Sequence, residues 1–192
     1  MAKLYFRYGA MGSSKTANAL MVRYNYYERG SSPVLLKPKM ENRDGGSVIR
    51  SRIGLEAECR FVEDFMAEIG EKWEKVRLYD AIIVDEAQFL SVEQVDWLSD
   101  AVDFGKVPVI CYGLRTDFRG DFFLGSMRLL EVADKIEEVK TVCWCGRKAT
   151  HNARIHDGKV VRDGAQVLMG GNESYVALCR KHFKFGMLKE GN

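Results

Sequence analysis

The chain has 192 residues, 46% of them apolar and 29% charged, which suffices for one well-packed core with a small appendage and excludes wholesale disorder. Twenty-nine Lys and Arg against 27 Asp and Glu give a net charge of +2, without the basic excess that marks a protein organised around nucleic acid. No apolar run approaches the ~20 residues that span a bilayer, and the first residues lack a basic segment followed by an apolar core. These readings lead us to expect a cytoplasmic protein that acts on neither nucleic acid nor membranes.

The apolar run 4–8 is followed by Gly9-Ala10-Met11-Gly12-Ser13-Ser14-Lys15-Thr16 and then by a helical pattern. Strand, glycine-containing turn, Lys-Thr and helix is the layout of a phosphate-binding loop. Backbone N–H groups at the turn and helix start converge on one anion, the lysine adds a point charge, and the threonine hydroxyl can reach Mg²⁺. The predicted ligand is a nucleoside triphosphate. One position departs from the pattern: Ser14 stands where glycine usually precedes the lysine.

Ala17, Leu20, Met21 and Tyr24 recur at helical spacing up to Gly30, and Val34-Leu35-Leu36 reads as a buried strand. The polar stretch 37–53 lacks periodicity and is expected to be a flexible loop. Phe61, Phe65, Ile69 and Trp73 predict one helix over 61–75. Ala81-Ile82-Ile83-Val84 is a strand covered on both faces, ending at Asp85-Glu86. Ser91 and Gln94 form a capping box ahead of a helix whose face is Val92, Val95, Leu98 and Val102. Residues 107–111 form another strand, closed by Gly113, with a short helix over 126–132 and a last strand over 135–141. This alternation predicts an α/β fold with a parallel sheet flanked by helices on both faces.

The remainder changes character, being Gly-rich and Cys-bearing, so a boundary is placed at Val142: a nucleotide-binding core over 1–142 and a second unit over 143–192. Cys143, Cys145, Cys179 and His182 form two close pairs, 33 residues apart, a Cys₃His set suited to structural Zn²⁺. Four ligands leave no open position, so the metal staples a unit that has little core of its own. Cys59 and Cys111 stand alone and read as small buried hydrophobes. Gly170-Gly171, ahead of Tyr175, suits either a substrate lid or a surface hairpin turn.

Ligands of parallel sheets bind at the carboxyl ends of the strands, so Asp85 faces the phosphate loop as a Mg²⁺ partner, and Glu86 reaches toward an acceptor hydroxyl. Phe118, Phe122 and Phe123, after the fourth strand, either anchor their loop or wall a flat apolar pocket.

Taken in order, Gly9-x-Met11-x-x-x-Lys15-Thr16, Asp85-Glu86-Ala87-Gln88-Phe89, the stretch Tyr112-Gly113-Leu114-Arg115-Thr116-Asp117-Phe118, Cys143-x-Cys145-Gly146, Gly170-Gly171-Asn172-Glu173-x-Tyr175 and Cys179-Arg180-Lys181-His182 resemble the bacterial, zinc-containing type II thymidine kinases. The resemblance implies a RecA-like P-loop core with a zinc-binding lasso domain that covers the nucleoside. It implies transfer of the ATP γ-phosphate to the 5′-hydroxyl of thymidine in nucleotide salvage, with Glu86 as general base. The implied ATP site comprises Gly9, Ala10, Met11, Gly12, Ser13, Ser14, Lys15 and Thr16 with Asp85, Glu86, Ala87 and Gln88, and Thr16 and Asp85 serve Mg²⁺. The implied thymidine site comprises Met11, Phe89, Leu114, Phe118, Phe123, Leu168, Gly170, Gly171 and Tyr175. A homotetramer inhibited by dTTP is implied too. Besides Ser14, the chain departs from the family in carrying Glu41, rather than aspartate, two residues before Arg43. Two other classes compete with the kinase reading: an ATPase working on nucleic acid through a zinc ribbon, and a non-catalytic nucleotide binder disabled by Ser14.

Overall fold

The computed structural model describes residues 1–41, 46–167 and 175–189. In chain order the elements are β1 (Leu4–Tyr8), α1 (Lys15–Glu28), β2 (Pro33–Lys37), β3 (Val48–Arg50), β4 (Glu56–Glu58), β5 (Arg60–Phe61), α2 (Val62–Ile69), α3 (Trp73–Val76) and β6 (Ala81–Val84). A 3₁₀ turn (Ala87–Phe89) leads to α4 (Val92–Asp103), β7 (Val109–Gly113), α5 (Leu124–Val132), β8 (Lys135–Glu138), β9 (Thr141–Val142), β10 (Lys148–Ala149), β11 (His151–His156), β12 (Lys159–Val161), β13 (Tyr175–Leu178) and α6 (Arg180–Phe185).

Six strands pair in the order β5-β2-β6-β7-β1-β8, and every pair is parallel. The phosphate-loop strand β1 is separated from the acidic strand β6 by β7, which is the RecA-like arrangement. Alternation along each strand sends its side chains to two cores. Leu4, Phe6, Leu36, Ile82, Val84, Val109 and Cys111 pack with Phe65, Ile69, Leu98 and Leu129 of α2, α4 and α5. Leu35, Ile83, Ile110 and Tyr112 pack with Ala19 and Leu20 of α1 and Ile49 of β3. The Ser91–Gln94 capping box is formed in both directions, and α4 buries Val95, Leu98, Ala101 and Val102. Each large side chain so buried contributes about 1.5–3 kcal/mol.

The structure differs from the sequence reading in four places. The stretch 37–53 contains β3, which pairs antiparallel with β4 in a hairpin covering the α1 face of the sheet. The helix expected over 61–75 breaks at Gly70, whose φ of 57° ends α2 and starts a separate turn, α3. The last strand divides: β8 joins the parallel sheet, whereas β9 pairs with β10. On α1, the expected Met21 and Tyr24 are exposed, whereas the expected Leu20 packs on the sheet together with Ala19. Small residues let the helix axis approach the sheet, which turns the larger side chains outward.

Residues beyond β9 build the antiparallel sheet β12-β11-β13 and α6 around a third small core of Cys143, Ala149, Ala153, Leu178, Cys179 and Phe183. Two close approaches fix the parts that flank the carboxyl edge of the parallel sheet. A Cβ on Gly125 would meet the carbonyl oxygens of Leu90 and Ala87 at 2.6 and 2.8 Å, so only glycine lets α5 lie against the 3₁₀ turn. A Cβ on Gly9 would meet the Val139 carbonyl at 2.3 Å. Among the described residues no helix is long and apolar enough to cross a membrane.

Candidate active site

The loop 9–14 leaves the carboxyl end of β1 and runs into α1, where Lys15 opens the helix. The Lys15 ammonium donates to the carbonyls of Gly9 (3.1 Å) and Ala10 (2.9 Å) and to Ser13 Oγ (3.3 Å), so the lysine is folded into the loop's own cup. First-turn amides of a helix have no intrahelical acceptors, and no acidic side chain occupies the first turn of α1. Together they present positive potential to an anion.

Ser14 adopts the left-handed conformation, φ 62° and ψ 26°, without a side-chain capping bond. That geometry explains why glycine suits the position: an L-residue there carries a steric penalty of about 1 kcal/mol. Its side chain is exposed. Ser14→Gly is therefore expected to stabilise the fold by about 1 kcal/mol while leaving ADP affinity within a small factor. Urea unfolding together with ADP titration checks both, and destabilisation would contradict strain as the distinguishing property.

Asp85 and Glu86 follow β6 at the same edge. Asp85 is buried and accepts a hydrogen bond from the Thr16 hydroxyl. Glu86 adopts a left-handed backbone, φ 52° and ψ 37°, as the chain turns into the 3₁₀ segment. A non-glycine residue held in this region is strain that the surrounding fold must overcome. Its carboxylate accepts from Gln88 Nε2, while Gln88 Oε1 accepts the Leu114 N–H at 2.9 Å. Gln88 thus clamps Glu86 against the end of β7.

In the cation-free protein, burial and then the neighbouring Glu86 charge raise the Asp85 carboxyl from 3.8 to about 7, opposed by the Thr16 hydrogen bond and the Lys15 charge. The folded value lies above the unfolded one, so stability linked to this group is complete below 3.8 and is lost as pH rises through about 7. Asp85→Asn cannot ionise. In EDTA its stability gain over wild type is expected to grow from about pH 5 to about pH 8, reaching a few kcal/mol. Thermal melts showing equal gains at both pH values would contradict buried charge as the cause.

A solvent-open cleft joins these parts. Its walls include residues 11–17, Lys37, Glu41, residues 49–53, Asp85, Glu86 and Leu114. The sequence-predicted Met11 and Leu114 therefore meet the phosphate loop and Glu86 in one space. Gly9, Ala10, Ala87, Gln88, Phe89, Phe118, Phe123 and Tyr175 do not line it. Phe89 and Phe123 meet edge to face at 5.7 Å, and Phe118 is buried beneath the Arg154 guanidinium at 3.6 Å. Phe122 is exposed. Leu168, Gly170, Gly171 and Arg43 lie outside the described residues.

Sequence reasoning missed the polar residues that tie β11 to this edge and brace its surroundings. Asn152 of β11 accepts the Met11 N–H at 2.7 Å and donates to the Thr116 carbonyl at 3.1 Å. Arg154, two residues along, donates to the Tyr175 hydroxyl (3.0 Å) and the Ala165 carbonyl (2.8 Å). Asp117 accepts from the backbone N–H groups of Arg119, Gly120 and Asp121 and from Gln166 Nε2. Buried arginine and asparagine in a polar segment look like surface residues until the partners are known.

The four predicted metal ligands converge. Cys143 and Cys145 lie on the β9–β10 turn, closed by Gly146 at φ 79°; Cys179 caps α6 and His182 lies within it. Their ligand atoms all lie within 4.8 Å of one another, and Cys143 Sγ is 3.3 Å from His182 Nδ1. Tetrahedral bonds of about 2.3 Å to sulfur and about 2.0 Å to nitrogen fit a set of that size. Burial raises the Cys143 thiol. At Cys179 burial also opposes ionisation, but backbone N–H groups of His182 and Lys181 and the neighbouring thiols bring it below its ordinary value. Trp144 stacks on His182 at 4.2 Å and 5°, fixing the ring. Cys59 and Cys111 are buried, as expected.

Fold and site together define a P-loop nucleotide-binding protein with a Cys₃His appendage. The family described as thymidine kinase matches residues 2–183. The thymidine kinase of Pasteurella multocida strain Pm70 is 46% identical over 188 residues, covering 96% of this chain and 97% of that protein. That of Xanthomonas oryzae pv. oryzae strain MAFF 311018 is 48% identical over 195 aligned positions, covering 100% and 93%. That of Salmonella choleraesuis strain SC-B67 is 45% identical, covering 100% and 95%. The chain belongs to the thymidine kinase family.

Proposed function

We propose that this protein transfers the γ-phosphoryl group of ATP to the 5′-hydroxyl of thymidine, giving ADP and dTMP in pyrimidine deoxynucleoside salvage. The observation that carries the reading is the single cleft shared by Lys15, Thr16, Asp85, Glu86, Met11 and Leu114. Phosphoryl transfer asks the protein for positioning and charge neutralisation. The loop amides and Lys15 hold the inner phosphates, the lysine exchanging its carbonyl partners for phosphate oxygens. Thr16 and Asp85 offer the oxygen donors that suit Mg²⁺ beside the triphosphate; that ion, when bound, neutralises phosphate charge. Glu86 accepts the 5′-hydroxyl proton, with Gln88 setting the direction of its carboxylate.

In this proposal Met11 and Leu114 meet the thymine base in the cleft, Phe89, Phe118 and Phe123 complete the thymine site although they do not line that cleft, and Tyr175, held by Arg154, is assigned to the lasso together with Leu168, Gly170 and Gly171. Residues 1–142 carry the nucleotide and residues 143–192 cover the nucleoside. Cys143, Cys145, Cys179 and His182 hold a structural Zn²⁺. The homotetramer and inhibition by dTTP belong to the same proposal. Met21, Tyr24 and Tyr27, exposed together along α1, offer an apolar surface that another copy would cover.

Label transfer from γ-labelled ATP to thymidine, deoxyuridine and other nucleosides tests the reading. Labelled dTMP is the expected product. ATP hydrolysis stimulated by DNA, with no nucleoside labelled, would replace the kinase by a nucleic-acid-dependent ATPase.

A further inference from the structure

The β3–β4 hairpin, absent from the sequence reading, brings basic side chains to the cleft that holds the phosphate loop. Arg50 forms an ion pair with Glu56 at 2.8 Å. Lys37 is buried and donates to Glu41 and to the Val48 carbonyl, and Lys15 is bound within the loop. Arg52 differs from all three: it lines the cleft, is exposed, and makes no hydrogen bond or ion pair among the described residues. It also stands close to the phosphate loop. A methyl group built on Gly12 would lie 3.9 Å from Arg52 Nη1, the nearest described atom beyond the chain neighbours of Gly12.

An arginine is ionised at every physiological pH, and its planar fork spans two oxygens of a phosphate. Glu41 is engaged by Lys37 and Asp85 by Thr16, so neither of these cleft carboxylates claims the Arg52 guanidinium. The loop amides and Lys15 are placed to hold inner phosphates, and Arg52, carried on a separate segment, borders the same cleft beside Gly12. The phosphoryl group left for a cation outside the loop is the terminal one.

We propose that Arg52 is a catalytic residue that binds the γ-phosphoryl oxygens during transfer, an inference that rests on the kinase reading above. The bond between the γ-phosphorus and the β,γ-bridging oxygen breaks, its electron pair leaving on ADP. A bond forms from thymidine O5′ to the γ-phosphorus, and the 5′ proton passes to Glu86. Arg52 neither gains nor loses a proton; it opposes the charge spread over the equatorial oxygens.

The test compares Arg52→Ala and Arg52→Lys with wild type in turnover, thermal melting, and affinity for ADP and a non-hydrolysable ATP analogue. Arg52→Ala is expected to lower kcat by about 10²-fold or more. It should weaken the analogue by about tenfold, leave ADP within about twofold and leave melting unchanged, because the side chain holds no other group among the described residues. Arg52→Lys should recover much of the analogue binding and little of the turnover, since an ammonium lacks the fork. Turnover within about threefold of wild type, or equal weakening of ADP and analogue, would overturn the proposal. The binding arm is independent of the acceptor. If wild type labels no nucleoside while Arg52→Ala still loses only the analogue, the failure falls on the kinase reading, and Arg52 stands as a γ-phosphate ligand.

Discussion

Glu86→Gln is expected to lower kcat for thymidine phosphorylation by about 10²–10⁴-fold, the range removed with a positioned general base. The substitution keeps volume and leaves an amide oxygen able to accept from Gln88 Nε2, so the 3₁₀ turn and the packing of Gly125 beneath it persist. ATP and thymidine affinities should change little, because the glutamine occupies the same space without taking a proton. The decisive measurement is single-turnover label transfer beside a melting curve. Turnover close to wild type in a normally folded variant would remove Glu86 from the role of base. Loss of nucleoside binding with intact chemistry would make it a binding residue instead.

Metal removal should have the other large effect. The third core holds only a handful of buried side chains, several of them the metal ligands or their neighbours. A structural zinc site contributes about 10–16 kcal/mol of apparent binding free energy, comparable to the whole stability of an ordinary domain. Chelation, or Cys179→Ser, is therefore expected to unfold β11, β13 and α6 while the parallel sheet stays folded. Activity should go with them, because β11 carries Asn152, which holds the Met11 N–H, and Arg154, which holds Phe118 and Tyr175. Elemental analysis should give about one zinc per chain. Hydrogen exchange should localise the loss, and zinc should restore both structure and turnover. Full activity after complete metal removal would show that the cluster is dispensable.

Much of the site was legible because its chemistry is written in contiguous stretches. A loop whose backbone wraps phosphate needs Gly9, Gly12, Lys15 and Thr16 close in sequence, and Asp85-Glu86 directly follows an unmistakably apolar strand. The four metal ligands were legible for a similar reason: two short pairs announce themselves by residue type, and the fold brings their atoms within 4.8 Å. The hairpin of β3 and β4 was not legible. Its strands are three residues each, too short for alternation to stand out, and Glu56 and Glu58 obscure their pattern. The break at Gly70 was hidden because α2 and α3 continue the same apolar spacing across a residue whose backbone, and not its side chain, ends the helix.

The sequence alone determined the parallel α/β class, the order of the main strands, the phosphate loop, the acidic pair and the Cys₃His set. Each follows from local periodicity or from residues whose chemistry is the same in any context. Only the tertiary structure decided which groups share a space. It put Met11 and Leu114 in the cleft with Glu86 and set Gln88 against the Glu86 carboxylate. It buried Asn152 against Met11 and Thr116 and Arg154 against Phe118, and it brought Arg52 beside Gly12. Those relations depend on contacts between residues up to 141 positions apart, and such contacts exist only once the sheet has brought its carboxyl ends to one edge.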